Sequence, residues 1–176
     1  MSGRQGDWIQ TFSGGRFWPM DPHAEDVEII DIAHSLAMQC RFAGHCIRYY
    51  SVAEHCVLLS RFVPPRHALW ALLHDASEAY LVDVPRPVKP YLAGYREAEA
   101  LVMMAVCRRF GLDYAMPQAV HEADWRILGD ERANLSPCVA EWSDPPRPLG
   151  VELQFWSPER AELEFLTRFE ELRGAT

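Results

Sequence analysis

Apolar positions recur at helical spacing through most of the chain, and proline and glycine mark where each run stops. From Ile29 to Met38, the residues Ile29, Ile32, Ala33, Leu36 and Ala37 share one face and predict a helix. Two more are predicted over Val52–Phe62 and Arg66–Ala76, with Pro64-Pro65 between them. Ser51 and Glu54 fit a capping box at the start of the first, and Leu69, Leu72 and Leu73 give the second its buried stripe. Helices over Tyr95–Phe110 and Pro117–Leu128 follow. The last opens at Ser157-Pro158-Glu159, a serine cap with proline in the first turn, and runs to Leu172. One stretch reads as strand: Thr11–Trp18 sets two aromatic-bearing arms around Gly14-Gly15. An isolated hairpin is marginal, so Phe12, Phe17 and Trp18 are expected to lean on the helices. CRFAGHCIRYY is a loop broken by Gly44. LVDVPRPVKPYL is pinned by prolines that forbid a continuous helix, Ser136–Leu149 is irregular, and residues 1–10 are loose. The prediction is an all-α bundle with a small N-terminal β-hairpin, one domain over residues 1–176.

Composition narrows the partners. Hydrophobic residues make up 49% of the chain, which excludes a disordered one, and 17 basic against 25 acidic side chains leave a formal charge of -8. A nucleic-acid binder carries a basic balance or stripe; neither is present. Five cysteines without compact spacing point to a reducing compartment. No signal-like segment opens the chain and no apolar run reaches spanning length. The expectation is a cytoplasmic protein that contacts neither nucleic acid nor membrane.

The chemistry gathers between Ser51 and Glu78. His55 lies in SVAEHCVLLS and His74-Asp75 in ALWALLHDASEAY, both within apolar helical sequence. An imidazole beside a carboxylate at the end of a core helix is unfavourable unless something uses them. Two imidazoles and a carboxylate are most of a divalent-metal site, and Asp124 in QAVHEADWRILGD offers a further ligand. The alternative is a pair of core histidines hydrogen-bonded to nearby acids. Glu78 follows His74 by one turn, so its carboxylate can approach the metal as a general acid or base. His121, three residues before Asp124, could hold a contact behind the ligands or meet an anion. Arg41, His45, Lys89 and Arg86 are the anion-binding candidates, with Arg suited to a planar phosphate contact and Lys to a point charge. Of the other histidines, His34 reads as structural, His67 as surface, and His23 has no visible partner.

The stretches TFSGGRFW, DIAHSLAMQCRFAGHCIRYYSVAEH, ALLHDASEAYLVDVPRPVK and EAD resemble the HD-domain phosphohydrolase superfamily. The resemblance is to the bacterial and phage branch of small deoxynucleotide phosphohydrolases, which includes 5'-deoxynucleotidases and a phage dATP triphosphohydrolase. It runs from Thr11 to Arg168 and is strongest from Asp31 to Lys89. It implies a compact HD-type helical bundle in which His55, His74, Asp75 and Asp124 hold one catalytic divalent ion (Zn, Co, Mn or Fe, with a further Mg at the phosphates). Asp75 and Glu78 would then be catalytic, Glu78 handling the proton. Arg41 and Lys89 match phosphate-contacting positions, and Phe42 matches an aromatic position that excludes a ribose 2'-hydroxyl. His121 stands where part of the group has lysine. The implied activity is phosphate release from deoxynucleoside 5'-monophosphates, or triphosphate release from a dNTP, in a homo-oligomer, dimer or hexamer. Two rival classes are a non-catalytic nucleotide-binding module and a signalling-nucleotide phosphodiesterase. Intact His55, His74, Asp75, Asp124 and Glu78 oppose the first. The want of a second histidine pair for a two-metal centre opposes the other.

Overall fold

The computed structural model describes residues 3–137, 142 and 144–174. Part of the proline-rich stretch expected to be irregular, residues 138–141 and 143, lies outside the described residues, as do residues 1–2 of the N-terminus. The helices are α1 (Ile29–Met38), α2 (Val52–Phe62), α3 (Ala68–Leu73), α4 (Glu78–Leu81), α5 (Tyr95–Phe110), α6 (Gln118–Glu131) and α7 (Pro158–Gly174). A two-stranded antiparallel hairpin precedes them, β1 (Ile9–Gln10) with β2 (Arg16–Phe17), in the register Ile9 to Phe17 and Gln10 to Arg16. The fold is the expected all-α bundle with its N-terminal hairpin. No helix among the described residues is long and apolar enough to cross a membrane.

The bundle is built around α2. Every residue of α2 from Val52 to Ser60 is buried, polar ones included. Helix α7 packs against α1, α2 and α3, while α6 reaches α2 from another side. The Ser51 hydroxyl caps α2 by accepting the Glu54 N–H at 3.0 Å. The capping box itself does not form. The Glu54 carboxylate turns away and accepts three backbone N–H groups, from Gln154 at 2.7 Å, Phe155 at 2.8 Å and Trp156 at 2.7 Å. Tertiary demand outweighs the local cap here: three donors of an irregular segment need a partner, and only one N–H at the cap does. Asp130 at the end of α6 holds the preceding stretch in the same way, accepting from Leu149, Gly150 and Val151. Gly129 lets this segment close on α6, because a Cβ there would lie 2.7 Å from the Pro146 carbonyl oxygen.

Three boundaries differ from the sequence reading. The first hairpin arm is Ile9–Gln10, inside the segment expected to be loose, and Arg4 is tied to Asp21 and Asp26. The helix predicted over Arg66–Ala76 is a 3-10 turn (Pro65–His67) followed by α3, which ends at Leu73. Beyond it the backbone tightens, with Ala76 N–H donating to Leu73 O and Glu78 N–H to Asp75 O, before α4 begins. These i→i+3 bonds wind His74 and Asp75 more tightly than an α-helix would. Helix α6 runs one turn past Leu128, to Glu131.

Two of the three hairpin aromatics, Phe12 and Phe17, lean on the body as expected, while the Trp18 ring meets Arg4 and Arg16. Phe17 is buried and stacks on Tyr80, and Phe12 stacks on His34 with ring centroids 3.6 Å apart. Asp31, buried on α1, accepts the Ser13 N–H at 2.6 Å and the Ser13 hydroxyl at 3.0 Å, which pins the turn. His34 also bonds Glu162 and is structural. His23 does have partners, Arg4 and the acids Asp21 and Glu25. His67 is half-buried and accepts from Arg66.

The Glu54 clamp gives a direct stability prediction. Glu54→Ala leaves three backbone donors without their acceptor and should lower the unfolding free energy by about 2–4 kcal/mol. Chemical denaturation checks it, and an unchanged midpoint would show that the clamp contributes nothing.

Candidate metal centre

His55 closes the first turn of α2, His74 and Asp75 come from the tight turn after α3, and Asp124 from the middle of α6. Four side-chain atoms converge. His55 Nε2 lies 3.2 Å from His74 Nε2, 3.3 Å from Asp124 Oδ1 and 3.7 Å from Asp75 Oδ2. His74 Nε2 lies 3.3 Å from Asp75 Oδ2 and 3.6 Å from Asp124 Oδ1. His55, His74 and Asp75 together form a group able to hold a metal ion.

The proton positions make the case stronger. His55 Nδ1 is 2.7 Å from Glu131 Oε1, and an ionised carboxylate only accepts. His74 Nδ1 is 2.7 Å from the Ala71 carbonyl, which also only accepts. Each neutral imidazole therefore carries its hydrogen on Nδ1 and turns the Nε2 lone pair toward the other ring. Two lone pairs at 3.2 Å repel unless a proton or a cation lies between them. Nitrogens each about 2.1 Å from one ion, at tetrahedral or octahedral angles, lie roughly 3.0–3.4 Å apart. The spacing and chemistry of these residues fit a divalent ion.

The electrostatics point the same way. Burial pulls the His74 imidazole down, but the Asp75 carboxylate and its neighbours hold it well above the ordinary value. Burial pushes the Asp124 carboxyl up, and hydrogen bonds to His55 and His74 outweigh that, holding it well below the usual range. The cluster draws positive charge, whether as a proton on an imidazole or as a cation.

A cavity of ≈ 540 Å³ opens beside the cluster, large enough for a small-molecule ligand. Asp75 and Asp124 lie at its wall with Arg41, Phe42, Glu78, Arg86 and Lys89, so seven of the residues singled out in the sequence share one space. Arg41 Nη2 donates to Glu131 Oε2 at 3.1 Å, and its Nη1 lies 3.7 Å from Asp75 Oδ2. Lys89 bonds Glu99 at 2.7 Å and sits 3.4 Å from Glu78 Oε1. The other Glu78 oxygen is buried without a partner. Burial, then the charges of Asp75 and Asp83, push the Glu78 carboxyl up to about 9. Arg86 is exposed at the cavity rim, its guanidinium 5.1 Å from the Trp125 ring. His45 and His121 are both exposed and do not line the cavity.

The arginine and its aromatic neighbour are presented by an unusual backbone. Phe42 and Ala43 are both left-handed, with φ of 56° and 51°, and Gly44 follows at 81°. Side-chain-bearing residues pay roughly 1–2 kcal/mol each in that region. Such conformations persist where the surroundings hold them, and they gather at functional sites.

Two residues of the site escaped the sequence reading. Glu131 lies two turns beyond Asp124 on α6, on the same face, but the predicted helix stopped before it. Its distance from Asp124 along a helix was the signal that could have found it. Asp83, half-buried at the cavity wall with its carboxyl pushed up by burial, sits in the proline-pinned loop, where no periodicity points to it.

An all-α bundle whose buried His/His/Asp cluster can coordinate a metal beside a ligand-sized cavity supports metal-dependent hydrolytic chemistry. No family model matches the chain. It is 43% identical to YfdR of Escherichia coli (strain K12) over 128 residues, covering 73% of this chain and 72% of that protein. It is 34% identical to RCAP_rcc00048 of Rhodobacter capsulatus in an alignment of 182 residues, covering 92% of this chain and 93% of that protein. The chain belongs to one family with these two proteins, whose names state no activity.

The raised Glu78 carboxyl predicts a pH-dependent stability. In the metal-free protein the folded state keeps a proton that the unfolded chain releases above the ordinary glutamate value of 4.5, so stability falls as pH rises from there to about 9. Glu78→Gln removes this loss. The melting-temperature difference between the variant and wild type, both chelator-treated, should grow in the variant's favour from pH 5 to pH 8.5.

Proposed function

We propose that this protein is a divalent-metal-dependent phosphohydrolase that releases phosphate from deoxynucleoside 5'-monophosphates. One observation carries the reading: His55 and His74 meet Asp75 and Asp124, and those two aspartates line a cavity that also takes in Arg41, Glu78 and Lys89. The sequence from Asp31 to Lys89, which resembles the small HD-domain nucleotidases, supports the same chemistry. A divalent ion in that cluster supplies Lewis acidity to a phosphoryl oxygen and lowers the pKa of coordinated water.

The chain's own residues account for the rest. Arg41 and Lys89 bring two cations to the phosphate end of the cavity, one planar and one a point charge. Burial raises the Glu78 carboxyl in the metal-free protein, and its place at the cavity wall suits it to exchange a proton with the departing 5'-oxygen. Phe42 follows Arg41 directly and lines the same cavity, so a phosphate gripped by the guanidinium leaves the sugar within reach of the ring. A ring edge against C2' leaves no room for a hydroxyl and offers it no hydrogen-bond partner.

The test is a phosphate-release screen over NMPs, dNMPs and dNTPs with several divalent metals, followed by product identification. Inorganic phosphate from dNMPs is expected. Triphosphate from a dNTP would mean that the α phosphorus, not a monophosphate, lies over the ion, and inactivity on every substrate would remove the reading. His74→Ala and Asp75→Ala should each lose bound metal and turnover while helical circular dichroism persists; undiminished metal stoichiometry in either would exclude that residue as a ligand. Phe42→Ala should raise kcat/KM for AMP relative to dAMP, and an unchanged ratio would take Phe42 out of sugar selection.

A further inference from the structure

Among the described residues two carboxylates are wholly buried, Glu54, which clamps the segment before α7, and Glu131. Glu131 is not among the residues lining the cavity beside the cluster and meets the site from behind. Its Oε1 is 2.7 Å from His55 Nδ1 and its Oε2 is 3.1 Å from Arg41 Nη2. We infer that Glu131 is the positioning residue of the metal centre, fixing the tautomer of His55 with one oxygen and, with the other, taking the shorter of Arg41's two carboxylate contacts so that the guanidinium does not close on Asp75. This rests on the reading that His55, His74, Asp75 and Asp124 hold a divalent ion.

Each half of the role follows from donor and acceptor arithmetic. His55 can present a lone pair on Nε2 only while its hydrogen stays on Nδ1, and the Glu131 carboxylate is the acceptor that keeps it there. Arg41 is buried between two carboxylates, 3.1 Å from Glu131 and 3.7 Å from Asp75. The guanidinium makes its shorter contact with Glu131, and the Asp75 oxygen that faces the two imidazoles is the same one it reaches at 3.7 Å, beyond hydrogen-bond distance. Without the Glu131 charge the buried guanidinium would be short of a counter-ion and would close on Asp75, competing with the metal. An ion with two aspartates and an arginine with one glutamate also make two neutral groups, as a largely buried centre requires.

Glu131→Gln tests the inference with almost no change in shape. An amide has one acceptor oxygen for two donors, so either His55 or Arg41 must face an NH2 group. The Co2+ dissociation constant, measured by competition with a chromophoric chelator, should rise about 10–100-fold, with a changed Co2+ absorption spectrum. A purely structural role predicts a lower melting temperature with Co2+ affinity and spectrum unchanged, and that result would overturn the inference. Should the variant not fold, long-range 15N imidazole correlations on the Zn2+-loaded wild type read the same point. His55 must carry its hydrogen on Nδ1, and an Nε2–H tautomer overturns the inference. A wild type that binds no metal removes this inference and the proposed function together. A wild type that binds metal, with a folded variant that binds it equally well, removes only the role of Glu131.

Discussion

The structure depends on α2 carrying two adjacent ionisable side chains, Glu54 and His55, wholly out of water. Buried charge is tolerated only with partners, and neighbours on a helix point in different directions, so each needs its own. Glu54 finds three backbone N–H groups in the segment just before α7, and His55 finds Glu131 and the metal cluster. The first set of contacts brings in the helix that packs on α1, α2 and α3; the second organises the site. Fold closure and site assembly therefore start from consecutive residues, and a defect in either reaches the other through one helical turn.

The cavity is defined by its acids as much as by its bases. Asp75, Glu78, Asp83 and Asp124 all reach its wall, while Arg41 is engaged by Glu131 and Lys89 by Glu99. An anionic ester approaching such a surface meets repulsion unless carboxylate charge is cancelled. Protonation cancels it at Glu78, and a divalent ion would cancel it at Asp75 and Asp124. Under the proposed function the ion would govern substrate affinity as well as the chemical step. A further side-chain-bearing residue with positive φ, Val82 at 73°, directly precedes the cavity-lining Asp83. Both loops that frame the cavity are held in conformations that the rest of the fold must enforce.

The helices α1, α2 and α5 begin and end where the apolar pattern places them, because each has a continuous buried stripe and a clear stop. The ligand candidates were legible for a related reason: imidazoles and carboxylates embedded in apolar helical sequence stand out against residues that otherwise avoid charge. The hairpin's aromatic contacts followed from its being too small to stand alone. Local signals misled where tertiary partners were stronger. The capping box at Ser51 lost its second half to three distant N–H groups, and the helix after Pro65 ended early in i→i+3 turns around His74 and Asp75.

What only the tertiary structure decided is which polar residues meet. His45 and His121 match the site in type and in distance along the chain, yet both face solvent, because loop conformation and helix rotation are settled by packing and leave no trace in spacing. Glu131 sat beyond the predicted end of its helix and Asp83 within a loop of prolines, so neither carried a periodic signal, yet one bonds His55 and the other lines the cavity. By itself the sequence determined an all-α bundle with a small hairpin and an unusual concentration of histidine and acid in its core, since burial pattern and turn chemistry are local. The tautomers of His55 and His74, the pairing of Arg41 with Glu131, and the 3.2 Å approach of two Nε2 atoms were left to the fold. Each joins residues from separate elements, and only packing brings those elements together.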